Sequence, residues 1–165
     1  MRIGNAMIQD NDHSSNNVNP KEVSRTPETG NRARVLVAED DDEMRKFLTR
    51  VLRADGYVPV ECRDGMDLFG HLEAFVGRET ILDVDVIISD ILMPGPTGLE
   101  ILEALHDRAG FPPVILITAF GDAGVHARAQ KAGAAAVLDK PFNITDLLAR
   151  LHEIVPPEHA PDAGS

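Results

Sequence analysis

The chain has 165 residues, one cysteine, no tryptophan and a formal charge of −11 at pH 7. That length suits one domain with its own core and is short for two. The acidic balance argues against a nucleic-acid-binding surface, the single Cys62 excludes an internal disulfide, and no apolar run approaches the roughly 18 residues of a membrane span.

The N-terminus is polar and Asn-rich, wrong for a secretory signal peptide, so a cytoplasmic protein is expected. Residues 1–33, rich in Asn, Ser, Asp and Pro, are expected to form a disordered tail. Residues 156–165, Pro-Pro-Glu-His-Ala-Pro-Asp-Ala-Gly-Ser, read the same way. The charge belongs to what lies between. Residues 34–155 carry 21 Asp and Glu against 12 Lys and Arg, whereas the first 33 residues carry four of each.

The folded unit is expected over 34–155, and its elements alternate. A strand at about 34–38 runs into Glu39-Asp40-Asp41-Asp42-Glu43. A helix at about 42–54 places Met44, Phe47, Leu48, Val51 and Leu52 at helical spacing, and Asp55-Gly56 stops it. A strand at about 57–61 precedes a helix at about 65–76 with Met66, Leu68, Phe69, Leu72 and Phe75. The third strand, about 84–89, leads to Asp90 and then to a helix at about 97–107 with Leu99, Ile101, Leu102 and Leu105. The fourth, about 113–117, leads to Thr118 and a weakly amphipathic, Ala- and Gly-rich helix at about 122–132. The last strand, about 135–138, leads to Lys140-Pro141 and a helix at about 143–154 with Ile144, Leu147, Leu148, Leu151 and Ile154. Five strand–helix units in strict alternation mean a doubly wound α/β fold, a parallel sheet with helices on both faces. Both common strand orders of that fold put the first strand in the middle.

The polar residues of interest all fall at strand C-terminal ends, the edge where open parallel sheets bind ligands. Asp90 is the most telling, because Asp is a poor strand former that avoids burial unless paired. If the first and third strands are neighbours, Glu39, Asp40 and Asp90 come together. Three carboxylates at that distance repel unless a cation holds them. With no His or Cys nearby in sequence the ligands would be oxygens, a donor set for Mg²⁺ or Mn²⁺. A divalent cation, Lys140 and the Thr118 hydroxyl facing one free carboxylate is a layout for phosphoryl transfer to Asp90.

Four pieces of sequence bear this out: Val-Leu-Val-Ala-Glu39-Asp40 followed by Met44-Arg45; Ile-Ile-Ser-Asp90-Ile-Leu-Met-Pro-Gly-Pro-Thr-Gly98; Ile-Leu-Ile-Thr118-Ala119; and Leu-Asp-Lys140-Pro141-Phe142. In this order and at these spacings they resemble the receiver domain of bacterial two-component response regulators, across about residues 34–155. The resemblance implies a flavodoxin-like sheet of order 2-1-3-4-5. It implies Asp90 as phosphoacceptor, with Mg²⁺ bound directly by Asp40 and Asp90, through water by Glu39, and by the backbone carbonyl of Leu92. Thr118 would bind a phosphoryl oxygen as the switch hydroxyl, and Lys140 would pair with the phosphoryl group. A cis Lys140–Pro141 bond is expected too.

The resemblance also implies the partners. A sensor histidine kinase or a histidine phosphotransfer protein would donate the phosphoryl group, and a downstream protein would read the result. The chain would be a monomer, or a phosphorylation-dependent homodimer through its helix 4–strand 5–helix 5 face. No direct nucleic-acid contact or membrane insertion is expected. It would be no enzyme beyond its own phosphotransfer and slow autodephosphorylation. With nothing expected to fold after Val155, the sequence reads as a stand-alone switch; a phosphorelay intermediate and a non-phosphorylated pseudo-receiver are the alternatives.

Two positions depart from the family pattern. Glu39 stands where Asp is usual, and Val137 stands where an aromatic residue usually moves with Thr118; Phe120 is the candidate substitute. Asp41, Asp42 and Glu43 read as an acid-rich helix N-terminus. Gly95 and Gly98 read as loop and turn residues, and Asn143 as a helix cap. His71, His106, His126 and His152 read as ordinary surface or half-buried residues. Asp83-Val-Asp85 resembles a phosphatase Asp-x-Asp motif, but it precedes its strand and so falls on the wrong edge. An FMN-binding variant of the fold conflicts with the acid cluster, which would repel the flavin phosphate.

Overall fold

The structure, a computed structural model, describes residues 32–78 and 83–157, with the side chains of 74, 75, 77 and 78 left aside. Both expected tails lie almost wholly outside the described residues, as does the expected packing of Phe75. The elements run β1 (Arg34–Ala38), α1 (Asp42–Ala54), β2 (Val58–Cys62), α2 (Gly65–Arg78), β3 (Val86–Asp90), α3 (Gly98–Leu105), β4 (Val114–Thr118), α4 (Ala123–Lys131), β5 (Ala136–Asp139) and α5 (Ile144–Ile154). All five strands pair in parallel in the order β2-β1-β3-β4-β5, as expected.

Side-chain alternation along the strands divides the interior into two layers. Val35, Val37, Val86, Ile88, Ile115 and Ile117 face α1 and α5, where Leu48, Leu52, Leu147 and Leu151 cover them. Leu36, Ala38, Ile87, Val114 and Leu116 face the other way, under Leu68 and Leu72 of α2, Leu99, Leu102 and Leu105 of α3, and Ala129 of α4. β3 and β4 are buried at all five positions, as central strands covered on both sides should be. Ala33, placed with the tail in the sequence reading, is 4% exposed, and its carbonyl accepts from Val58 N.

Two helices differ from expectation in the face they bury. On α1 the buried stripe is Arg45, Leu48, Thr49 and Leu52, and Phe47 is 43% exposed. On α2, Leu68 and Leu72 are buried while Met66 and Phe69 remain exposed. The caps follow the sequence closely. Asp41 accepts from Met44 N and starts α1, Thr97 and Glu100 form a capping box on α3, and Asn143 accepts from Thr145 N at α5. The chain leaves α1 through Gly56 at φ 95°, a conformation that favours glycine.

Gly98 is more than a turn residue. A Cβ there would sit 2.4 Å from Ser89 Oγ and 2.8 Å from the Asp90 carbonyl oxygen, so α3 can begin against the end of β3 only with glycine. Gly98→Ala is therefore expected to lose about 1–3 kcal/mol of stability in urea denaturation. Helix propensity alone gives the opposite sign; an unchanged or higher midpoint would rule out the tight approach. Cys62 is fully buried, and burial together with Asp67 and Asp64 pushes its thiol up to about 12. Native protein at pH 8 should resist a disulfide reagent such as DTNB until denaturant is added; one equivalent reacting quickly in native buffer would contradict this.

Candidate functional site

The parallel order sets all strand C-termini along one edge. Ala38 is level with Ser89, Asp90 with Ile117, and Thr118 with Asp139. One step beyond these positions come Glu39 after β1 and Lys140 after β5, while Asp90 and Thr118 end β3 and β4. The adjacency of β1 and β3 gathers the acids. Glu39, Asp40 and Asp90 each offer a carboxylate oxygen, all within 4.8 Å of one another. Glu39 and Asp90 are buried, at 1% and 4% exposure, and Asp40 is open to solvent.

Lys140 reaches over β4 to this cluster. Its Nζ donates to Asp90 Oδ2 at 2.5 Å and to Glu39 Oε2 at 2.9 Å. Its backbone N–H donates to the Thr118 carbonyl at 2.7 Å, and the Lys140–Pro141 bond is cis, as expected. Burial pulls the ammonium pKa down, but its hydrogen bonds to Asp90 and Glu39 outweigh this and hold the group above its ordinary value. Glu39 is raised, because burial disfavours its charge more than Lys140 and the Asp41 N–H favour it.

The other oxygen of Asp90, Oδ1, accepts from Leu92 N at 2.8 Å, which folds the β3–α3 loop back over its own carboxylate. The Leu92 side chain is 49% exposed beside the site. Thr118 is buried, and its Oγ1 accepts from Phe120 N at 3.1 Å, leaving the hydroxyl proton free to be given elsewhere. Phe120 is 74% exposed. It does not fill the interior beside β5, where the half-buried Val137 packs against the core.

All six residues singled out in the sequence thus lie on one edge, and Lys140, Asp90 and Glu39 are in direct contact. Four features of the cluster fit a small hard cation: oxygen donors only, negative charge in excess of the single lysine, one acid open to water, and a short span. Asp83 and Asp85 lie at the other edge of β3, tied to Arg34 by an ion pair at 3.4 Å and a hydrogen bond from its N–H at 2.7 Å.

Sequence reasoning gave no site role to three contributors. Arg45 is buried on α1 and donates from NH1 to the Glu39 carbonyl at 2.8 Å. Its spacing with Leu48, Thr49 and Leu52 was the available signal, since it shares their face. Gly121, in the β4–α4 loop, lies so close to Asp139 and His126 that a Cβ would fall 1.8 Å from Asp139 Oδ1. There His126 Nε2 meets the Asp139 carboxylate at 2.9 Å, tying α4 to the end of β5 next to Lys140. Ser89 supports Asp90 from behind, with its hydroxyl on the Asp90 carbonyl at 3.0 Å.

Known proteins resemble this chain in sequence and fold. The sequence profile of the response regulator receiver domain matches residues 35–152. FixJ of Azorhizobium caulinodans, a transcriptional regulatory protein, is 34% identical over 115 residues, which are 70% of this chain and 51% of that protein. PdtaR of Mycobacterium tuberculosis, also a transcriptional regulatory protein, is 34% identical over 116 residues, 70% of this chain and 53% of its own. The chain thus spans about half the length of the curated relatives it matches. Among solved structures, the Vibrio cholerae chemotaxis protein CheY4 superposes with a TM-score of 0.61 at 30% identity, over 74% of this chain and 98% of that one. A BeF3-activated DrrB receiver domain does so at 0.63 and 25% identity, over 74% and 97%. With the sheet order, the strand-end acids and the sequence match in agreement, the chain belongs to the response regulator receiver domain family of two-component signal transduction.

Proposed function

We propose that this receiver is switched by phosphorylation of Asp90, with Mg²⁺ held by Asp40 and Asp90 directly, by Glu39 through water and by the Leu92 carbonyl. The observation that carries the reading is the convergence of Lys140 on Asp90 and Glu39, at 2.5 and 2.9 Å, at a buried strand end where Asp40 opens the cluster to solvent. The bound cation would supply positive charge opposite the phosphoryl oxygens.

The donor is a phosphohistidine on a sensor kinase or on a histidine phosphotransfer protein. A carboxylate oxygen of Asp90 forms the new O–P bond, the N–P bond breaks, and the imidazole leaves with the electron pair and takes up a proton. Lys140 exchanges its contact with the carboxylate for one with a phosphoryl oxygen. The Thr118 hydroxyl donates to another, drawn in by the charge-assisted bond. Asp90 needs no general base, because the carboxylate is already the nucleophile.

The change is read by a downstream protein through the α4–β5–α5 face, with homodimerisation through that face as one form of output. α4 suits a movable element. Ala129 is its one fully buried residue, and exposed polar contacts tie it down, an ion pair of Arg128 with Glu103 and a hydrogen bond between His126 and Asp139. Such contacts are each worth roughly 0–1 kcal/mol, so α4 can be repositioned at low cost. With Val137 in place of an aromatic residue, the loop from Thr118 through Gly121 to the His126–Asp139 contact is the route by which Thr118 moves α4.

Beryllofluoride with Mg²⁺ should stabilise the wild-type protein by about 2–4 kcal/mol at ligand concentrations well above Kd and leave Asp90→Asn unmoved in thermal unfolding. Equal responses from the two proteins, or none from either, would defeat the reading. Leu92, two residues past Asp90, and Phe120, two residues past Thr118, carry no group able to orient a water for attack. Phospho-Asp90 is expected to decay over minutes to hours in Mg²⁺. A half-life of seconds, followed by loss of radiolabel after removal of the donor, would contradict it.

A further inference from the structure

Among the described residues Arg45 is the one fully buried basic side chain, at 4% exposure. Arginine is almost never buried without partners. Those of Arg45 come from three elements that meet behind the acidic site. Its NH1 donates to the Glu39 carbonyl oxygen at 2.8 Å, just past β1. Its NH2 pairs with Asp42 in the first turn of α1. Its Nε lies 3.4 Å from Glu61 Oε2 on β2, an ion-pair contact without the alignment of a hydrogen bond.

The Glu39 carbonyl is half of the peptide unit that joins Glu39 to Asp40, and that unit is planar. The Glu39 N–H is already fixed, donating to the Cys62 carbonyl of β2 at 3.2 Å. Arg45 therefore supplies the second anchor. Between them the two bonds fix the backbone from which both acids project. The planar guanidinium suits this work, since its fork serves the Glu39 carbonyl and the Asp42 carboxylate in set directions.

We propose that Arg45 is a positioning residue of the cation site: it holds the Glu39–Asp40 peptide plane and so sets where two of the three carboxylates stand for a divalent cation. The inference rests on reading Glu39, Asp40 and Asp90 as that site.

Charge and positioning predict opposite signs. A guanidinium close to the site repels a cation, so if charge were its main contribution, Arg45→Met would tighten Mg²⁺ binding. Positioning predicts that Arg45→Met weakens it by about ten- to a hundredfold, the usual effect of losing a partner that orients a metal ligand. Arg45→Lys keeps the charge and loses the fork, and is expected to fall between that variant and wild type. The measurement is calorimetric titration of the full chain with MgCl₂, with circular dichroism to confirm that each variant is folded. Weaker binding by Arg45→Met supports the proposal, and equal or tighter binding overturns it. Should Arg45→Met fail to fold, Arg45→Lys decides: weaker than wild type supports, equal overturns. A wild-type chain that takes up no Mg²⁺ at all removes the cation site itself, and this role with it.

Discussion

Everything at this site follows from one electrostatic problem. Glu39 and Asp90 are buried side by side with Asp40 at the rim, and like charges so placed repel strongly. The answer within the chain is a single ammonium. Lys140 lies between the two buried acids, and removing it would leave them uncompensated, among the more costly things a folded protein can contain. One lysine does not neutralise three carboxylates, however. The residual negative charge, open to solvent at Asp40, is what the proposed divalent cation would offset.

The sheet makes this arrangement possible. Its order puts β1 against β3, so the acids that follow them must meet. Two buried layers hold the strands rigidly enough that Lys140 can span β4 from a neighbouring loop and arrive at hydrogen-bond distance. Close approaches without side chains do the rest. Gly98 lets α3 start against the Asp90 backbone, and Gly121 lets the β4–α4 loop close over Asp139 and His126. The same loop begins at Thr118, so a movement of that hydroxyl has a short mechanical path to α4, an element held by few buried contacts.

Much of this was legible in the sequence because strand interiors are apolar and their ends are not. Asp90, Thr118, Lys140 and the Glu39–Asp40 pair each interrupt an apolar run at the same relative place, and strict alternation of strands and helices put all those places on one edge. Less legible was the use of polar residues as core. Phe47 read as part of the α1 face and Arg45 did not, yet Arg45 and Thr49 are buried and Phe47 is exposed. Periodicity weighs apolar atoms and is blind to partners on other elements, here Glu61 on β2 and the Glu39 carbonyl. Gly98 was opaque for a similar reason, since the atoms that exclude a Cβ belong to Ser89 and Asp90, on another element. The exposure of Phe120 likewise depends on how a loop closes, which spacing does not encode.

The central claim is chemical: Asp90 is the residue that carries the phosphoryl group. The most direct measurement is to incubate the chain with acetyl phosphate and Mg²⁺, reduce it with sodium borohydride, and sequence its peptides by mass spectrometry. Borohydride converts an acyl phosphate to an alcohol, so a phosphorylated aspartate is read as homoserine. The account predicts homoserine at position 90 and at no other aspartate. Homoserine at a different position, or an unmodified Asp90 in a chain that demonstrably binds Mg²⁺, would contradict it.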